Sequence, residues 1–342
     1  MANPERAADI DPHLLKEMSL AYSNISRRNS PLLRTEIIRN EWTARRFGHG
    51  TIIVSELHQP SKSFKPRGAV NFLMGLTRAE LDRGIVAASA GNHAQGVALG
   101  CKMLKANGLI VVPKSTPDNK IDQTIEIGGG RVSVRKQGKD FDEALEFAQS
   151  YSKDVGAVFS SPFDDIKVIA GQATLAMEVY QDVPNIGAVF VPVGGAALIA
   201  GTAAALKNRD SSIRIIGVEP ENAASLQYAR KLGGPAPLEG EFSTFIDGAA
   251  VRQVGDLPFK YANHLIDDVI TVSDMEVREV VNELWGVEES WSWLVKTELA
   301  GALSLAGIRH YGSSNLDSNK VSVGMITGGN LSEKRFNEEV RL

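Results

Sequence analysis

Residues 61–69 read SKSFKPRGA, and they place Lys65 between a run rich in β-branched residues, 51–54, and a stretch with helical periodicity. Pro66 has a fixed φ that suits the first turn of a helix, and it disfavours the α conformation at Lys65. The lysine is therefore expected to project in a fixed direction from a strand-to-helix junction. Such an amine is suited to covalent bonding with a carbonyl carbon, whereas a lone Lys-Pro pair is more typical of a solvated surface lysine.

The composition of the whole chain predicts an ordinary globular protein. The 342 residues are 43% hydrophobic and 23% charged with a net charge of −4, which favours neither nucleic acid nor an anionic membrane as a partner. The length predicts two lobes. Cys101 is the single cysteine, which excludes an internal disulfide and a multi-cysteine zinc site. Since the sequence has no signal pattern and no membrane-spanning apolar stretch, we expect a cytoplasmic protein.

Short runs rich in β-branched residues recur along the chain, and helix-compatible stretches separate most of them. This alternation predicts an α/β fold with a doubly wound, mostly parallel sheet. The predicted strands are 51–54, 85–88, 109–112, 131–134, 157–160, 188–193, 213–218 and 320–326.

Two helix starts and one long loop are also visible. Thr116, Pro117 and Asp118 supply a capping residue, a first-turn proline and an acid, and the acidic pair at 164–165 precedes an apolar-periodic stretch. These acids are interpreted as caps rather than catalysts. The stretch 232–257 is rich in glycine and proline, and a loop of that length is usually functional or mobile.

A second segment, SAGNHAQG at residues 89–96, follows the predicted strand 85–88 and opens a predicted helix. A small turn at the amino end of a helix presents free N–H groups to an anion such as a carboxylate. Asn92 is suited to bind a ligand hydroxyl, but an asparagine just before a helix is also a common cap. We expect His93 to be a structural imidazole.

Two further segments lie at predicted strand ends. PVGGAAL, residues 192–198, is expected to form a nest of backbone N–H groups for a phosphate, with a tight structural turn as the alternative. It fits neither of the two common nucleotide-binding glycine patterns. TGGN, residues 327–330, places the Thr327 hydroxyl where it can face a heterocycle nitrogen or bond to the backbone.

Taken in this order, the four segments resemble the pyridoxal-phosphate enzymes of the threonine dehydratase and serine racemase family, which have fold type II, as in tryptophan synthase β. The resemblance runs from about Ser30 to Asn330, and the further matching segments are PFDD at 162–165, GQ at 171–172, GVEP at 217–220, DG at 247–248 and ELAGA at 298–302.

The resemblance implies a two-lobed α/β fold with pyridoxal 5′-phosphate in the cleft. The implied large lobe comprises residues 1–80 and 164–342, and it binds the cofactor. Residues 81–163 are the implied small lobe, which gates the substrate.

The resemblance also implies a role for each site residue. Lys65 is implied to form the Schiff base with the cofactor and to be the base that removes the substrate α-proton. Phe64 is implied to flank the cofactor ring, Asn92 to bond its phenolic oxygen and Thr327 to face its pyridine nitrogen, with Glu298 as a further cofactor-binding residue. The turns implied to hold the cofactor phosphate and the substrate carboxylate are formed by Gly194, Gly195, Ala196, Ala197 and Leu198 and by Ser89, Ala90, Gly91, Asn92 and His93.

The implied reaction removes water from a β-hydroxy amino acid such as threonine or serine and yields a 2-oxo acid and ammonia. A threonine hydroxyl does not keep a pyridine nitrogen protonated, which favours β-elimination over transamination. Serine racemases have a serine where this chain has Ala90, and alanine carries no proton, so we expect little racemisation. The alternatives are a racemase or β-replacement synthase, a dehydratase for a larger substrate such as phenylserine or 3-hydroxyaspartate, and a non-catalytic binding protein.

Two parts of the sequence depart from the family pattern. The phosphate loop of the family has four glycines, and Ala196 and Ala197 replace the last two; an alanine with positive φ costs on the order of 1 kcal/mol. The divalent-metal site of the family matches Glu219 and Ala223, but Ser225 replaces its aspartate. We therefore expect no tight metal site.

Three of the four tryptophans, Trp285, Trp291 and Trp293, lie in the stretch just before Glu298. Such aromatic residues most often belong to a core, and the alternative is that one of them walls the substrate pocket and selects a larger β-hydroxy acid. By resemblance, we expect a homodimer or homotetramer that binds a small amino-acid substrate.

Overall fold

The computed structural model describes residues 10–27, 30–48, 50–240, 242–287, 292 and 295–342. The strands in these residues are β1 (Glu36–Ile38), β2 (Thr51–Ser55), β3 (Ile85–Ala88), β4 (Gly108–Val112), β5 (Val132–Lys136), β6 (Val158–Phe159), β7 (Ile186–Pro192), β8 (Arg214–Pro220), β9 (Asp268–Val272) and β10 (Val321–Ile326).

The α-helices that surround the strands are α1 (Pro12–Ile25), α2 (Glu41–Phe47), α3 (Lys65–Met74), α4 (Arg78–Asp82), α5 (Asn92–Leu104), α6 (Asp118–Gly128), α7 (Phe141–Val155), α8 (Ile166–Asp182), α9 (Ala197–Lys207), α10 (Ser225–Leu232), α11 (Asp256–Ala262), α12 (Asp274–Trp285), α13 (Leu299–Tyr311) and α14 (Glu333–Arg335). Three short 3-10 helices, Glu221–Ala223, Asn263–Leu265 and Ser313–Asn315, and a π-helical segment, Phe336–Val340, complete the described elements.

The strands form two sheets, and helices connect their parallel strands. The larger sheet has the order β1-β2-β10-β7-β8-β9, and the smaller one has the order β5-β4-β3-β6. Only β1 pairs antiparallel to its neighbour among the described strands. Buried β-branched runs in β7, β8 and β10 are typical of parallel strands covered on both faces. The predicted α/β fold with mostly parallel sheets is confirmed.

All eight predicted strands overlap observed ones, but two strands were missed. β1 is only three residues long, and β9 begins with Asp268 in an acidic run at the edge of the large sheet. The long loop was predicted correctly, because the described residues between α10 and α11 contain neither helix nor strand.

One predicted helix start was right and the other was wrong. Asp165 caps α8, and its Oδ1 accepts hydrogen bonds from the N–H groups of Lys167 (2.7 Å) and Val168 (3.2 Å). Thr116 does not cap α6, because the helix begins at Asp118 after an extended Pro117 that makes no side-chain cap. Thr116 therefore lies one position too early for a capping bond.

Pro66 lies in the first turn of α3, as predicted, but the α conformation that it disfavours at Lys65 is nevertheless adopted there. Lys65 is the first residue of α3 and Pro66 is the second. A proline in the first turn removes no helical hydrogen bond, since the first N–H groups of a helix have no acceptor within it. The conformational preference of the residue before proline is overcome here by the start of the helix.

Helix α3 is held in place by a buried ion cluster and by a close helix crossing. The fully buried Arg67 guanidinium contacts Glu56, which follows β2, at 2.7 Å, and Glu178 of α8 at 2.9 Å. The two carboxylates raise the pKa of Arg67 against its burial, so it stays charged. A Cβ atom on Gly171 of α8 would lie 2.3 Å from the Arg67 carbonyl oxygen. The lysine at the start of α3 is thus fixed against both the sheet and α8.

Within the part of the chain that the structure describes, no helix has the length and apolar character needed to cross a bilayer.

Candidate active site

A cavity of about 310 Å³ lies where β3, β7 and β10 end and where α3, α5 and α9 begin. Side chains at the carboxyl ends of parallel strands converge, which is where ligands bind in α/β sheets. Every residue that the sequence predicted for the cofactor and the substrate lines this cavity: Phe64, Lys65, Ser89, Ala90, Gly91, Asn92, His93, Gly194, Gly195, Ala196, Ala197, Leu198, Glu298 and Thr327.

Lys65 presents its amine to this cavity from the first turn of α3. Its Nζ donates to the Pro162 carbonyl oxygen at 3.3 Å and lies 5.3 Å from the centroid of the Phe64 ring. Burial lowers the pKa of the Lys65 amine to about 8, and the Glu298 carboxylate acts in the opposite direction. The neutral form that a nucleophile or base requires is therefore far more populated near physiological pH than in an ordinary lysine.

The turn before α5 offers backbone N–H groups, and its imidazole is structural. Asn92 is the first residue of the helix, so it does not serve as the side-chain cap that was the alternative prediction. His93 is 3% exposed, and its Nε2 donates to the Ser160 carbonyl oxygen at 3.1 Å. Burial and the nearby Lys65 charge lower the pKa of His93 to about 3. A buried, neutral ring that bonds to the Ser160 carbonyl oxygen fits the predicted structural role.

The turn before α9 has backbone N–H groups suited to an anion and contains one strained residue, Ala196. Gly194, Gly195 and Ala196 precede the helix, whose first N–H groups have no acceptor within it. A Cβ atom on Gly195 would lie 2.1 Å from the Phe163 ring, so only glycine fits there. Ala196 has a φ of +70°, whereas Ala197 is already helical. Of the two alanines that replace glycines, only Ala196 therefore carries the conformational cost.

A network of amides and one carboxylate forms the wall beside Thr327. Glu298 Oε1 accepts from Asn92 Nδ2 at 2.6 Å, and Glu298 Oε2 accepts from the Asn330 N–H at 3.1 Å. Asn330 Nδ2 lies within hydrogen-bonding distance of three acceptors: Asn92 Oδ1 at 2.6 Å, the Ser61 carbonyl oxygen at 2.8 Å and Gln95 Oε1 at 3.1 Å. Burial raises the pKa of Glu298 to about 7, the Asp247 charge adds to the rise, and the Asn92 hydrogen bond opposes it.

The mouth of the cavity contains residues that the sequence analysis did not assign. Lys120 of α6 contacts Asp247 at 3.1 Å, and Arg335 of α14 contacts the same carboxylate at 3.1 Å. Lys120 and Asp247 both line the cavity. Asp247 belongs to the DG segment at 247–248, for which the resemblance implied no role, and Lys120 lies on a helix face that carries no motif. No local sequence pattern predicts an ion pair between two residues that lie 127 positions apart.

Glu219, which matches the metal site of the family, bonds to the start of α10. Glu219 is fully buried, and its two oxygens accept the N–H groups of Leu226 (2.7 Å) and Gln227 (2.8 Å), so it stabilises the first turn of α10. Burial raises the pKa of Glu219 to about 7. Ala223 lies in the 3-10 helix before α10. No cluster of three or more His, Cys, Asp or Glu side chains suited to a metal ion occurs among the described residues.

Of the three tryptophans, only Trp285 lies within the described residues; Trp291 and Trp293 lie outside them. The Trp285 ring stacks on Phe336 with centroids 4.1 Å apart, and its Nε1 donates to the Thr297 carbonyl oxygen at 2.9 Å. Trp285 therefore packs behind Glu298, outside the residues that line the cavity.

The residues present fit pyridoxal phosphate. The cavity combines a partly neutral amine on Lys65 with a cradle at Gly195 that a Cβ atom would fill, an aromatic ring on Phe64 and a hydroxyl on Thr327. These groups would serve the aldehyde, the phosphate, the ring face and the ring nitrogen of the cofactor, respectively.

Comparison with known proteins agrees with this geometry. The family model described as "Pyridoxal-phosphate dependent enzyme" matches residues 28–328. The chain is 39% identical to the biosynthetic L-threonine dehydratase of Pasteurella multocida over 84% of this chain and 54% of that protein. It is 34% identical to the catabolic L-threonine dehydratase of Escherichia coli K12 over 95% and 98% of the two chains.

The same fold occurs in the processed form of threonine deaminase isoform 2 from Solanum lycopersicum, with a TM-score of 0.85, 34% identity and coverage of 96% and 93%. The chain spans about half the length of the Pasteurella relative. Together with the family match over residues 28–328, these likenesses establish that the chain belongs to the family of pyridoxal-phosphate dependent enzymes.

Proposed function

We propose that the protein is a dehydratase that removes water from a β-hydroxy amino acid of the threonine or serine type. The β C–O bond breaks, water leaves, and hydrolysis of the unsaturated amine consumes one water, so the net products are a 2-oxo acid and ammonia. The observation that carries the proposal is the Lys65 amine, which lines the cavity together with the glycine-containing turns before α5 and α9 and has a pKa lowered to about 8. The names of the relatives, L-threonine dehydratases, support the same reaction.

When bound, the cofactor supplies an electron sink for bonds broken at the substrate α-carbon. The N–H groups of residues 194–198 would hold its phosphate, with Phe64 against its ring, Thr327 at its ring nitrogen and Asn92 at its phenolic oxygen. Lys65 would hold its aldehyde carbon and, once freed by substrate, take the α-proton in its neutral form.

The substrate carboxylate would lie at the amino end of α5, against the turn 89–93. The helix dipole and the free N–H groups of the first turn favour an anion at this position. Ala90 lies in this turn and lines the cavity, and it offers no proton to the α-carbon. His93 is neutral and already bonded to Ser160. This arrangement supports elimination over racemisation.

Two lobes and their closure are a further part of the proposal. We propose that residues 81–163 form a small lobe that closes on the substrate against residues 1–80 and 164–342. The smaller sheet is built entirely from strands within residues 85–159, and the Lys120–Asp247 ion pair crosses between the two proposed lobes. We also propose a homo-oligomer in the cytoplasm, on the resemblance and the single cysteine alone.

A panel of β-hydroxy amino acids tests the reaction. Threonine, serine, phenylserine and 3-hydroxyaspartate are each incubated with the cofactor-loaded protein, and ammonia and the 2-oxo acid are quantified. We expect equal amounts of the two products from threonine or serine. Absence of both products from all four compounds would refute dehydratase function, and preference for phenylserine or 3-hydroxyaspartate would establish the larger-substrate alternative.

A further inference from the structure

The orientation of the Asn92 side-chain amide is dictated by backbone groups. The Ser61 carbonyl oxygen can only accept, so the Asn330 atom 2.8 Å away must be the donor Nδ2. The same Nδ2 lies 2.6 Å from Asn92, whose facing atom must then be the acceptor Oδ1. This leaves Asn92 Nδ2 facing Glu298 at 2.6 Å. A flipped amide would set two donors against each other at Asn330 and two acceptors at Glu298.

Glu298 is oriented in the same way from its other side. Its Oε2 accepts the backbone N–H of Asn330 at 3.1 Å, which leaves Oε1 for Asn92. Both carboxylate oxygens therefore act as acceptors, as expected of the ionised form. Asn92 Nδ2 carries two hydrogens, and only one of them goes to Glu298.

We infer that Glu298 and Asn330 are positioning residues that hold the Asn92 amide so that its second Nδ2–H is free to donate to an anionic oxygen in the cavity. The bond from Nδ2 to a carboxylate fixes the plane of the amide, and the bond to Oδ1 prevents the flip. This inference rests on the proposed contact between Asn92 and the cofactor phenolic oxygen. Glu298 is then expected to affect the cofactor by orienting Asn92, not by contacting the cofactor itself.

The charged groups around Glu298 come from three elements. Asp247, in the loop before α11, raises the pKa of Glu298, and Lys120 of α6 lowers it. Lys65 of α3 is close enough that Glu298 raises the pKa of its amine. Asp247 is itself paired with Lys120 and Arg335. Loss of the Glu298 charge is therefore expected to favour the neutral form of Lys65 as well as to loosen Asn92.

The test uses two substitutions, Glu298→Gln and Asn92→Asp, alone and together. In Glu298→Gln one oxygen must serve two donors, so either Asn92 Nδ2 or the Asn330 N–H loses its partner. In the double variant the amide nitrogen introduced at position 298 can donate to the carboxylate introduced at position 92, while the amide oxygen at position 298 accepts from Asn330. The hydrogen bonds among positions 92, 298 and 330 are thereby restored. The carboxylate at position 92, however, has no N–H for a ligand.

Two quantities are measured for each variant: the Kd for pyridoxal phosphate and the urea midpoint of the apoprotein. Glu298→Gln is expected to lower the urea midpoint and to weaken cofactor binding about tenfold, the scale of a hydrogen bond to a charged group. The double variant is expected to recover the urea midpoint of the wild type but not its Kd. If Glu298→Gln fails to fold, the inference is tested by the Kd and the urea midpoint of the double variant.

Glu219→Gln is the matched control. Glu219 is also a buried glutamate whose two oxygens accept backbone N–H groups, and it lies outside the residues that line the cavity. This variant is expected to lose stability while keeping the wild-type Kd.

An unchanged Kd in Glu298→Gln, or a wild-type Kd in the double variant, would overturn the inference. Ammonia release by the wild type is measured separately. If it is absent while the Kd values follow the expected order, the proposed reaction fails and the positioning role stands.

Discussion

Replacement of Gly171 by alanine tests the packing that fixes the lysine-bearing helix. A Cβ atom at this position would lie 2.3 Å from the Arg67 carbonyl oxygen and 2.6 Å from the Gly68 Cα atom. Ordinary contacts between carbon atoms are about 3.5–4.0 Å. Helices α3 and α8 must therefore separate by about an ångström at this crossing, because a backbone atom cannot rotate out of the way.

Gly171→Ala is expected to destabilise the protein, although helix propensity alone predicts that it stabilises the helix. An alanine in place of glycine inside a helix normally stabilises it by about 1 kcal/mol. Overpacking against backbone costs up to about 3 kcal/mol. Gly171→Ala is thus expected to lower the free energy of unfolding by about 2 kcal/mol, and to weaken cofactor binding because α3 carries Lys65.

Urea unfolding of the apoprotein, followed by circular dichroism and tryptophan fluorescence, measures the first quantity, and cofactor titration measures the second. Gly100→Ala in α5 is the matched control, because the three atoms nearest to its Cβ would all belong to the Leu73 side chain, with the terminal Cδ2 nearest at 3.0 Å. That variant is expected to be neutral or slightly stabilised. A Gly171→Ala protein as stable as the wild type would refute the close crossing.

Three further outcomes follow from the site. Ala90→Ser is expected to gain interconversion of L-serine and D-serine, measured by chiral chromatography, because its hydroxyl supplies a proton opposite Lys65; no gain would count against the assignment of this face. The rate at which the apoprotein binds the cofactor, measured by stopped flow, is expected to rise with pH through about 8, because the Lys65 amine loses its proton there. A rate that does not change with pH would exclude the Lys65 amine as the group that reacts with the cofactor. Lys120→Met and Asp247→Asn are each expected to raise KM about two- to fivefold, which is the effect of losing a partly exposed ion pair. The double variant is expected to raise KM no further than either single variant. Additive effects of the two substitutions on KM would show that the two side chains are not coupled.

Sequence patterns predicted the elements of the fold better than their precise ends. Buried β-branched runs such as those of β3 and β7 stand out, because strands covered on both faces must be apolar. β1 and β9 escaped prediction because one is very short and the other is an edge strand that begins with an aspartate. At α6 the rule for proline placed the helix start one residue too early, because Pro117 precedes the helix instead of lying in its first turn.

The candidate site was predictable where its chemistry is local, and not where it is assembled. Lys65 and the glycine turns lie in short motifs, and all of them line one cavity. The hydrogen bond between Asn92 and Glu298 joins residues 206 positions apart, and such a pairing is decided by tertiary structure. Likewise, the sequence shows that Ala196 replaces a glycine, but only the structure shows that its φ is positive.

Identification of the lysine that carries the cofactor tests the account most directly. The cofactor-loaded protein is reduced with borohydride, digested, and searched by mass spectrometry for the modified lysine, with Lys65→Ala as the comparison. We predict that the label lies on Lys65 alone, and that Lys65→Ala retains no label and releases no ammonia from threonine. A label on another lysine such as Lys120, which also lines the cavity, or ammonia release by Lys65→Ala, would contradict the account.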